Sequence, residues 1–435
     1  MTRSYHSFHV SDTAILKQQM LSWANQFNIC CFLDNHNYNS DHHSFECLLG
    51  AGAHVTFELN GDFFTSLADF YASANDWIFG HFNYDLKNRI EQLSSNHPDF
   101  IAFPDAFLFV PEVVLKLEKN ELIIGVLQED AEMIFQAIKL QSYVGEVPLS
   151  VDIKPRLSRE EYLGAINQLL DHIKKGDCYE INFCQEFYAE QAQIDPLQVY
   201  KQLTTLSPNP FSGYYRLIDK YLLCASPERY LKKSANKLIS QPIKGTGPRN
   251  HSNTEEDNIN RQSLSESIKD RSENVMVVDL VRNDLSKICE QGSVQVEELF
   301  GIYSFPQVYQ MISTVTGILK PNTGLAEILA STFPMGSMTG APKKRVMELI
   351  EQYEKSKRGI FSGTIGYITP EKDFDFNVVI RSILYNGASS YLSYQVGGGI
   401  TSNSIPEKEY EECLLKAAAI KQVLTNLKPQ GISKR

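Results

Sequence analysis

From Ser158 to Gly176 the apolar residues Ile166, Leu169, Leu170 and Ile173 recur at helical spacing. Ser158, followed three residues later by Glu161, offers a capping box, and Gly176 offers a C-terminal stop, so the pattern predicts a helix here. The period then changes. CYEINFCQEFYAE (178–190) alternates as a strand does, with Tyr179, Ile181 and Phe183 on one side. Strand-like segments recur at 221–226, 237–240, 363–369, 376–385 and 391–399, and helix-like segments at 263–285, 325–332, 341–355 and 407–425. Residues 1 to 150 read as short strands and helices joined by polar turns, among them the Asn/His/Asp-rich stretch 34–43. The polar run from Asn250 to Ser267 reads as an exposed loop leading into a helix. Strand and helix do not alternate regularly, and neither GxGxxG nor GxxxxGK[ST] occurs. The expected class is therefore α+β, with large antiparallel sheets flanked by helices, and not a nucleotide-binding doubly wound fold.

Composition narrows this picture. The 435 residues are 43% hydrophobic and 11% aromatic, ample for a packed core and against extended disorder. With 41 Lys+Arg against 52 Asp+Glu the net charge is −11, which argues against nucleic acid as a partner, since such binding needs a basic face. No run of 18 apolar residues and no signal-like N-terminus is present, so the expectation is a cytoplasmic protein with no membrane partner. Eight cysteines without a CxxC pair read as reduced, buried thiols.

Candidate chemistry lies in four segments. In QPIKGTGPR (241–249), glycines and prolines build a tight turn around Lys244, where burial would lower the lysine pKa and free its amine as a nucleophile. In SIKDRSENVMVVDLVRNDLSKI (267–288), Asp270 and Glu273 share a helix face, and in PEKEYEECLLKAAAI (406–420), Glu409, Glu412 and Lys416 do so. Two carboxylate-bearing helices suit Mg²⁺, which takes one or two protein carboxylates and leaves its other positions to water and an anionic substrate. Gly397, Gly398 and Gly399 end a strand, and Arg381 lies in the apolar segment FNVVIRSIL; together they suit a carboxylate ligand. Read locally, each segment has a plainer alternative: an exposed turn lysine, two solvated acidic faces, an arginine paired with a carboxylate of the protein itself.

In chain order, GDCYEINFCQEF (176–187), ASPERYL (225–231), QPIKGTGPR, DRSENVMVVDLVRNDLSKIC (270–289), TFPMGSMTGAPKKRVMELI (332–350), FSGTIGYI (361–368), NVVIRS (377–382) and VGGGITSNSIPEKEYEECLLKA (396–417) resemble the chorismate-utilising enzymes. That family includes anthranilate synthase component I, aminodeoxychorismate synthase component I and the isochorismate and salicylate synthases. The resemblance runs from Leu157 to Leu427 and is weaker before it. It implies a chorismate-binding catalytic region over 151–435, with 1–150 the N-terminal portion of the same core. Pro242-Ile243-Lys244-Gly245-Thr246 resembles the aminodeoxychorismate synthase form, where anthranilate synthases usually carry alanine before Gly-Thr. The implied reaction converts chorismate and ammonia to 4-amino-4-deoxychorismate, toward p-aminobenzoate and folate. Ammonia would be free or delivered by a separate glutamine amidotransferase subunit.

The resemblance also assigns roles. Glu228 resembles the general acid for the departing C4 hydroxyl, and Lys244 the nucleophile that attacks C2 to give a covalent adduct. Glu273 and Glu412 resemble Mg²⁺ ligands, with Asp270, Glu409 and Lys416 around them. Gly245, Thr246, Arg381 and Gly397 to Gly399 resemble the groups that hold the substrate carboxylates. Three positions depart from the pattern: Glu180 stands where glutamine is usual and isochorismate-forming relatives carry lysine, Gln310 where histidine is frequent, and Phe361 where tyrosine is common. Asn35 in FLDN (32–35) replaces a serine of the family's tryptophan pocket, whose other half, Pro208-Asn209-Pro210, is retained; the expectation is no tryptophan feedback. The competing readings are anthranilate synthase component I and a catalytically silent partner of an amidotransferase.

Overall fold

The computed structural model describes residues 2–425 apart from 39–41, 43, 60, 143–149 and 307; part of the polar stretch 34–43, the segment just before residue 150 and the last residues of the family match lie outside the described residues. Two sheets, of 12 and 10 strands, are built from antiparallel pairings. The larger runs from Ser4–His9 at one edge through Glu121–Val126, Val113–Glu118, Cys47–Ala51 and Ile29–Asp34. It continues through Phe211–Leu217, Lys220–Ser226, Ser382–Asn386, Tyr391–Thr401, Glu180–Ala189 and Gly340–Ala341. The second holds Ile243–Pro248, Val308–Ile318, Lys237–Gln241, Arg229–Ser234, Phe374–Asn377 and Thr364–Ile368, then Ile78–Phe82, Ala106–Val110 and Val55–Thr56. Both sheets thus interleave early and late strands, and Ile29–Asp34 pairs directly with Phe211–Leu217. The fold is the α+β class anticipated.

Period-2 alternation explains the layering. Cys30 and Phe32 join one apolar cluster with helices Thr13–Ala24, Arg159–Lys175 and Pro406–Thr425, while their neighbour Cys31 faces the other sheet. Leu223 and Ala225 likewise point one way, Leu222 and Cys224 the other. The sheets meet closely: a Cβ on Gly50 or Gly213 would stand 2.7 Å from Phe79 or Ile365. Strands buried on both faces read as nearly continuous apolar runs rather than alternating ones.

The helix Arg159–Lys175 has both halves of its capping box and ends at Gly176 with φ 83°. Leu325–Thr332 and Pro406–Thr425 fall where periodicity places them. Three expectations are corrected. The polar run after Asn250 is a helix, Thr254–Glu266, capped by Asn253 and carrying Glu255, Glu256 and Asp257 in its first turn. Leu264 is its one buried residue, packed on Tyr309 and Met311, so it has almost no apolar stripe for periodicity to detect. Ser267 then breaks the path and caps the long helix Ile268–Ile288. Second, 376–385 is not one strand: pairing stops after Asn377 and resumes at Ser382, and Arg381 between them has φ 52°. Third, Tyr179 precedes its strand and is exposed, while Glu180 and Asn182 are as buried as Ile181 and Phe183. All eight cysteines are free and buried, and no helix among the described residues is long and apolar enough to cross a membrane.

Candidate active site

A cavity of about 130 Å³ opens where both sheets meet the Glu273 helix and the C-terminal helix. Glu228, Lys244, Gly245, Thr246, Glu273, Arg381, Gly397 to Gly399 and Lys416 all line it. Glu409 and Glu412 border it, since a Cβ on Gly398 would lie 3.4 Å from Glu409 Oε2, 3.8 Å from Lys416 Nζ and 4.0 Å from Glu412 Oε1. Residues spread over nearly 190 positions of the chain therefore converge on one small volume.

Lys244 is aimed by a local irregularity. The tight turn expected around Lys244 is instead a strand, Ile243–Pro248, whose glycines serve a bulge: it pairs with Val308–Ile318 at Ile243↔Ile312 and again at Thr246↔Gln310, and the register slips between them. Gly245 sits in that bulge at φ 97°, where a Cβ would come within 2.9 Å of Asp270. Lys244 Nζ donates to Glu180 Oε1 at 2.6 Å, with side chains only 10% and 2% exposed. The expectation that burial frees this amine by lowering its pKa is overturned. Burial does push the pKa down, but the carboxylates of Glu180, Glu273 and Glu228 outweigh it and the net shift is upward. In the resting protein Lys244 is an ammonium.

Glu228 lies in the two-residue link that carries the chain from Lys220–Ser226 in one sheet to Arg229–Ser234 in the other. Its N–H donates to Ser226 Oγ and its carbonyl accepts from Val378 N–H, so the backbone is held from both sides. Burial raises its carboxyl to about 7, with Ser337, Lys244 and the Ile243 N–H pulling partly back. A carboxyl near neutrality is suited to donate a proton.

The acidic helices meet as the spacing suggested, with different partners. Glu273 is buried and pushed up to about 7, first by burial and then by Glu180 and Asp270, against Lys244 and Lys269. Lys269 Nζ stands 3.8 Å from Glu273 Oε1 and 3.4 Å from Glu409 Oε1, bridging the two helices. Glu412 pairs with Lys416 at 2.8 Å, which holds it below the usual carboxylate range; Lys416 also donates to Gly397 O. Asp270 turns toward its own cap and accepts from Ser267 Oγ at 2.5 Å. Glu273 Oε1 and Glu409 Oε2 are buried and have no hydrogen-bond donor among the described residues, a condition that a cation relieves. The available donors are all hard oxygens, and among the described residues no three His, Cys, Asp or Glu side chains converge on one point. A pair of carboxylates completed by water and substrate is the pattern of Mg²⁺, so the residues fit that ion. Glu409 has the freer and more buried oxygen, whereas one oxygen of Glu412 is taken by Lys416.

Arg381, removed from the strand by its positive φ, lines the cavity, and among the described residues no carboxylate lies within ion-pair distance of it. The glycine run pairs with the Glu180 strand on one edge only, at Asn182↔Gly399, Phe183↔Gly398 and Cys184↔Gly397. Its other neighbour stops at Ser393, leaving the cavity edge open.

Sequence reasoning singled out Glu180 as a departure without pairing it with Lys244, and it passed over Lys269. The available signal for Lys269 was its i,i+4 spacing to Glu273. A larger cavity, about 680 Å³, lies elsewhere, lined by Asn35, Pro210, Arg229 and Asp375 among others, and it contains none of the candidate reacting groups.

Residues 35–422 match the family model described as chorismate binding enzyme. The chain is 34% identical to aminodeoxychorismate synthase component 1 of Klebsiella aerogenes over 78% of its own length and 75% of that protein's. It is equally, 34%, identical to an anthranilate synthase component I-like protein of Synechocystis sp., over 81% and 73%. Its fold superposes on the crystal structure of anthranilate synthase component I from Streptococcus pneumoniae with a TM-score of 0.77, covering 88% of this chain and 95% of that one at 24% identity. With the convergence of Glu228, Lys244 and Glu273 on one cavity, the match across most of the chain is conclusive: this protein belongs to the chorismate binding enzyme family.

Proposed function

We propose that the chain is aminodeoxychorismate synthase component I, converting chorismate and ammonia to 4-amino-4-deoxychorismate. The observation that carries this reading is Lys244: a lysine lines the cavity together with a buried carboxyl, Glu228, whose pKa of about 7 suits proton donation. Anthranilate synthases usually carry alanine at that position.

In this scheme Arg381 and the open edge of Gly397 to Gly399 receive substrate carboxylates, and Thr246 lies at the cavity rim. Lys244 Nζ attacks C2, both ring double bonds shift by one position, and the C4 hydroxyl leaves as water with the proton of Glu228. Ammonia then attacks C4 and expels the lysine amine. Splitting the substitution in two makes the amine, not water, the first nucleophile. Glu273, with Glu409 or Glu412, would hold Mg²⁺, which supplies positive charge to a dianionic substrate in an acidic protein. The place of action is the cytoplasm, which suits eight free buried thiols, and ammonia arrives from solution or from a separate glutamine amidotransferase subunit.

The test is product analysis. Purified protein incubated with chorismate, Mg²⁺ and an ammonium salt near pH 8 is expected to yield aminodeoxychorismate, converted to p-aminobenzoate when an aminodeoxychorismate lyase is added. Anthranilate or isochorismate as the main product would falsify the assignment.

A further inference from the structure

Lys244 poses a chemical problem: the group proposed as nucleophile rests as an ammonium, without the lone pair that attack requires. We propose that Glu180 is the catalytic base for Lys244, taking a proton from Nζ as it attacks and returning it when the amine is expelled; this rests on the lysine-adduct reading above.

The geometry singles out this carboxylate. Glu180 Oε1 is 2.6 Å from Nζ, and among the described residues it is the one carboxylate within ion-pair distance of Lys244. Glu228 cannot serve, because it must hold a proton for the leaving hydroxyl, and Glu273 lies beyond that distance, with Lys269 as its ion-pair neighbour at 3.8 Å. Glu180 is fixed at the start of its strand by pairing with Thr401 on one side and Ala341 on the other. It is 1% exposed, and its second oxygen, Oε2, has no donor among the described residues. One carboxylate oxygen therefore already sits on Nζ, and among the described residues the other meets no competing donor. The transfer also turns an ion pair into a neutral pair, leaving the net charge of the site unchanged.

The protons balance. The Lys244 ammonium and Glu180 carboxylate become amine and carboxylic acid; the amine lone pair forms the N–C2 bond, both ring double bonds move one position along, and the C4–O bond breaks as Glu228 protonates the departing oxygen. In the second half ammonia forms the C4–N bond, the C2–N electrons return to Lys244, Glu180 re-protonates the amine, and the new C4 ammonium passes a proton to Glu228. Chorismate and ammonia enter, and aminodeoxychorismate and water leave.

The experiment follows adduct formation by intact-protein mass spectrometry with chorismate and Mg²⁺ but no ammonia, alongside steady-state turnover with ammonia. Glu180→Gln is expected to slow adduct formation and kcat by about 100-fold or more, the usual contribution of a positioned base, with the chorismate KM changed less than about threefold. Glu180→Asp should recover part of the rate. Formate should rescue Glu180→Ala and leave Glu180→Gln unaffected, an outcome that a merely structural carboxylate would not produce. Adduct formation by Glu180→Gln within about threefold of wild type overturns the proposal, as does loss of rate in Glu180→Ala that no small carboxylate restores. Turnover by the wild-type protein without any adduct overturns the base role and leaves the synthase reading standing. Absence of aminodeoxychorismate from the wild-type protein overturns both.

Discussion

A Cβ on Gly399 would lie 2.7 Å from Lys244 Nζ and 2.9 Å from Glu180 Oε1, so the glycine keeps open the space in which the two charges meet. Both obstructing atoms are ends of side chains that can move. Gly399→Ala is therefore expected to fold and to lose turnover by about tenfold or more, because reacting groups displaced by an ångström lose much of their rate. Gly397→Ala faces a different obstacle, the Phe183 carbonyl at 2.4 Å, which belongs to a paired strand and cannot yield. It should cost about 1–3 kcal/mol in urea denaturation.

Glu228 sets an alkaline limit. Burial raises its carboxyl to about 7, so the proton needed by the leaving hydroxyl is present below that pH and lost as pH rises through it. At saturating ammonia, kcat/KM for chorismate should fall with a single-proton slope above about pH 7. Glu228→Gln should flatten that limb and lower the rate at every pH by about 10²–10⁴-fold, the usual weight of a general acid. A limb unchanged in Glu228→Gln would place the acid elsewhere.

Mg²⁺ binding should depend unequally on the three glutamates. Glu273→Gln and Glu409→Gln remove the two buried oxygens that have no donor and are expected to weaken Mg²⁺, measured by calorimetry, by about tenfold or more. Glu412→Gln, whose carboxylate already faces Lys416 at 2.8 Å, should have the smallest effect. Equal losses at all three positions would contradict this ranking.

Glu354 and Arg358 carry the stability of the cavity wall. Two hydrogen bonds join them with side chains 4% and 1% exposed, and the guanidinium also donates to Met338 O and Asn182 O beside the site. Glu354→Gln leaves that buried cation without its counter-charge and should cost about 3–5 kcal/mol in urea denaturation.

Tryptophan at 1 mM, on the order of a weak-binding concentration, should not inhibit. In the larger cavity Asn35 donates to Tyr38 O and accepts from Asn37 N–H, which commits its amide to the local turn. Inhibition in a turnover assay would show that the amide is available to a ligand.

Elements with a strong local signature were legible. The capped helix from Ser158 to Gly176 and the C-terminal helix could be placed from periodicity and caps alone, because those signals act over a few residues. The helix Thr254–Glu266 was not, since a helix that buries one leucine leaves no stripe to count. Arg381 reads as a strand residue because its neighbours are apolar; its left-handed backbone depends on how two strands of different sheets are joined. Glu354 and Arg358, in the charged run EKSKR, look like surface residues, and nothing local reveals that the fold buries them.

The chain by itself determined the chemical inventory: the glycine-rich segment bearing Lys244, the carboxylates spaced along two helices, the buried-type thiols and the family pattern that orders them. Tertiary structure decided which charges face one another. Lys244 and Glu180 are 64 residues apart and Lys269 and Glu409 are 140 apart, and no periodicity reports a contact at such separation. The protonation states followed from that decision. Burial alone predicts a neutral lysine, and only the carboxylates brought against it by distant strands and helices keep Lys244 charged. Charge pairing in a dry cavity depends on distances of a few ångströms, which are set when the sheets pack.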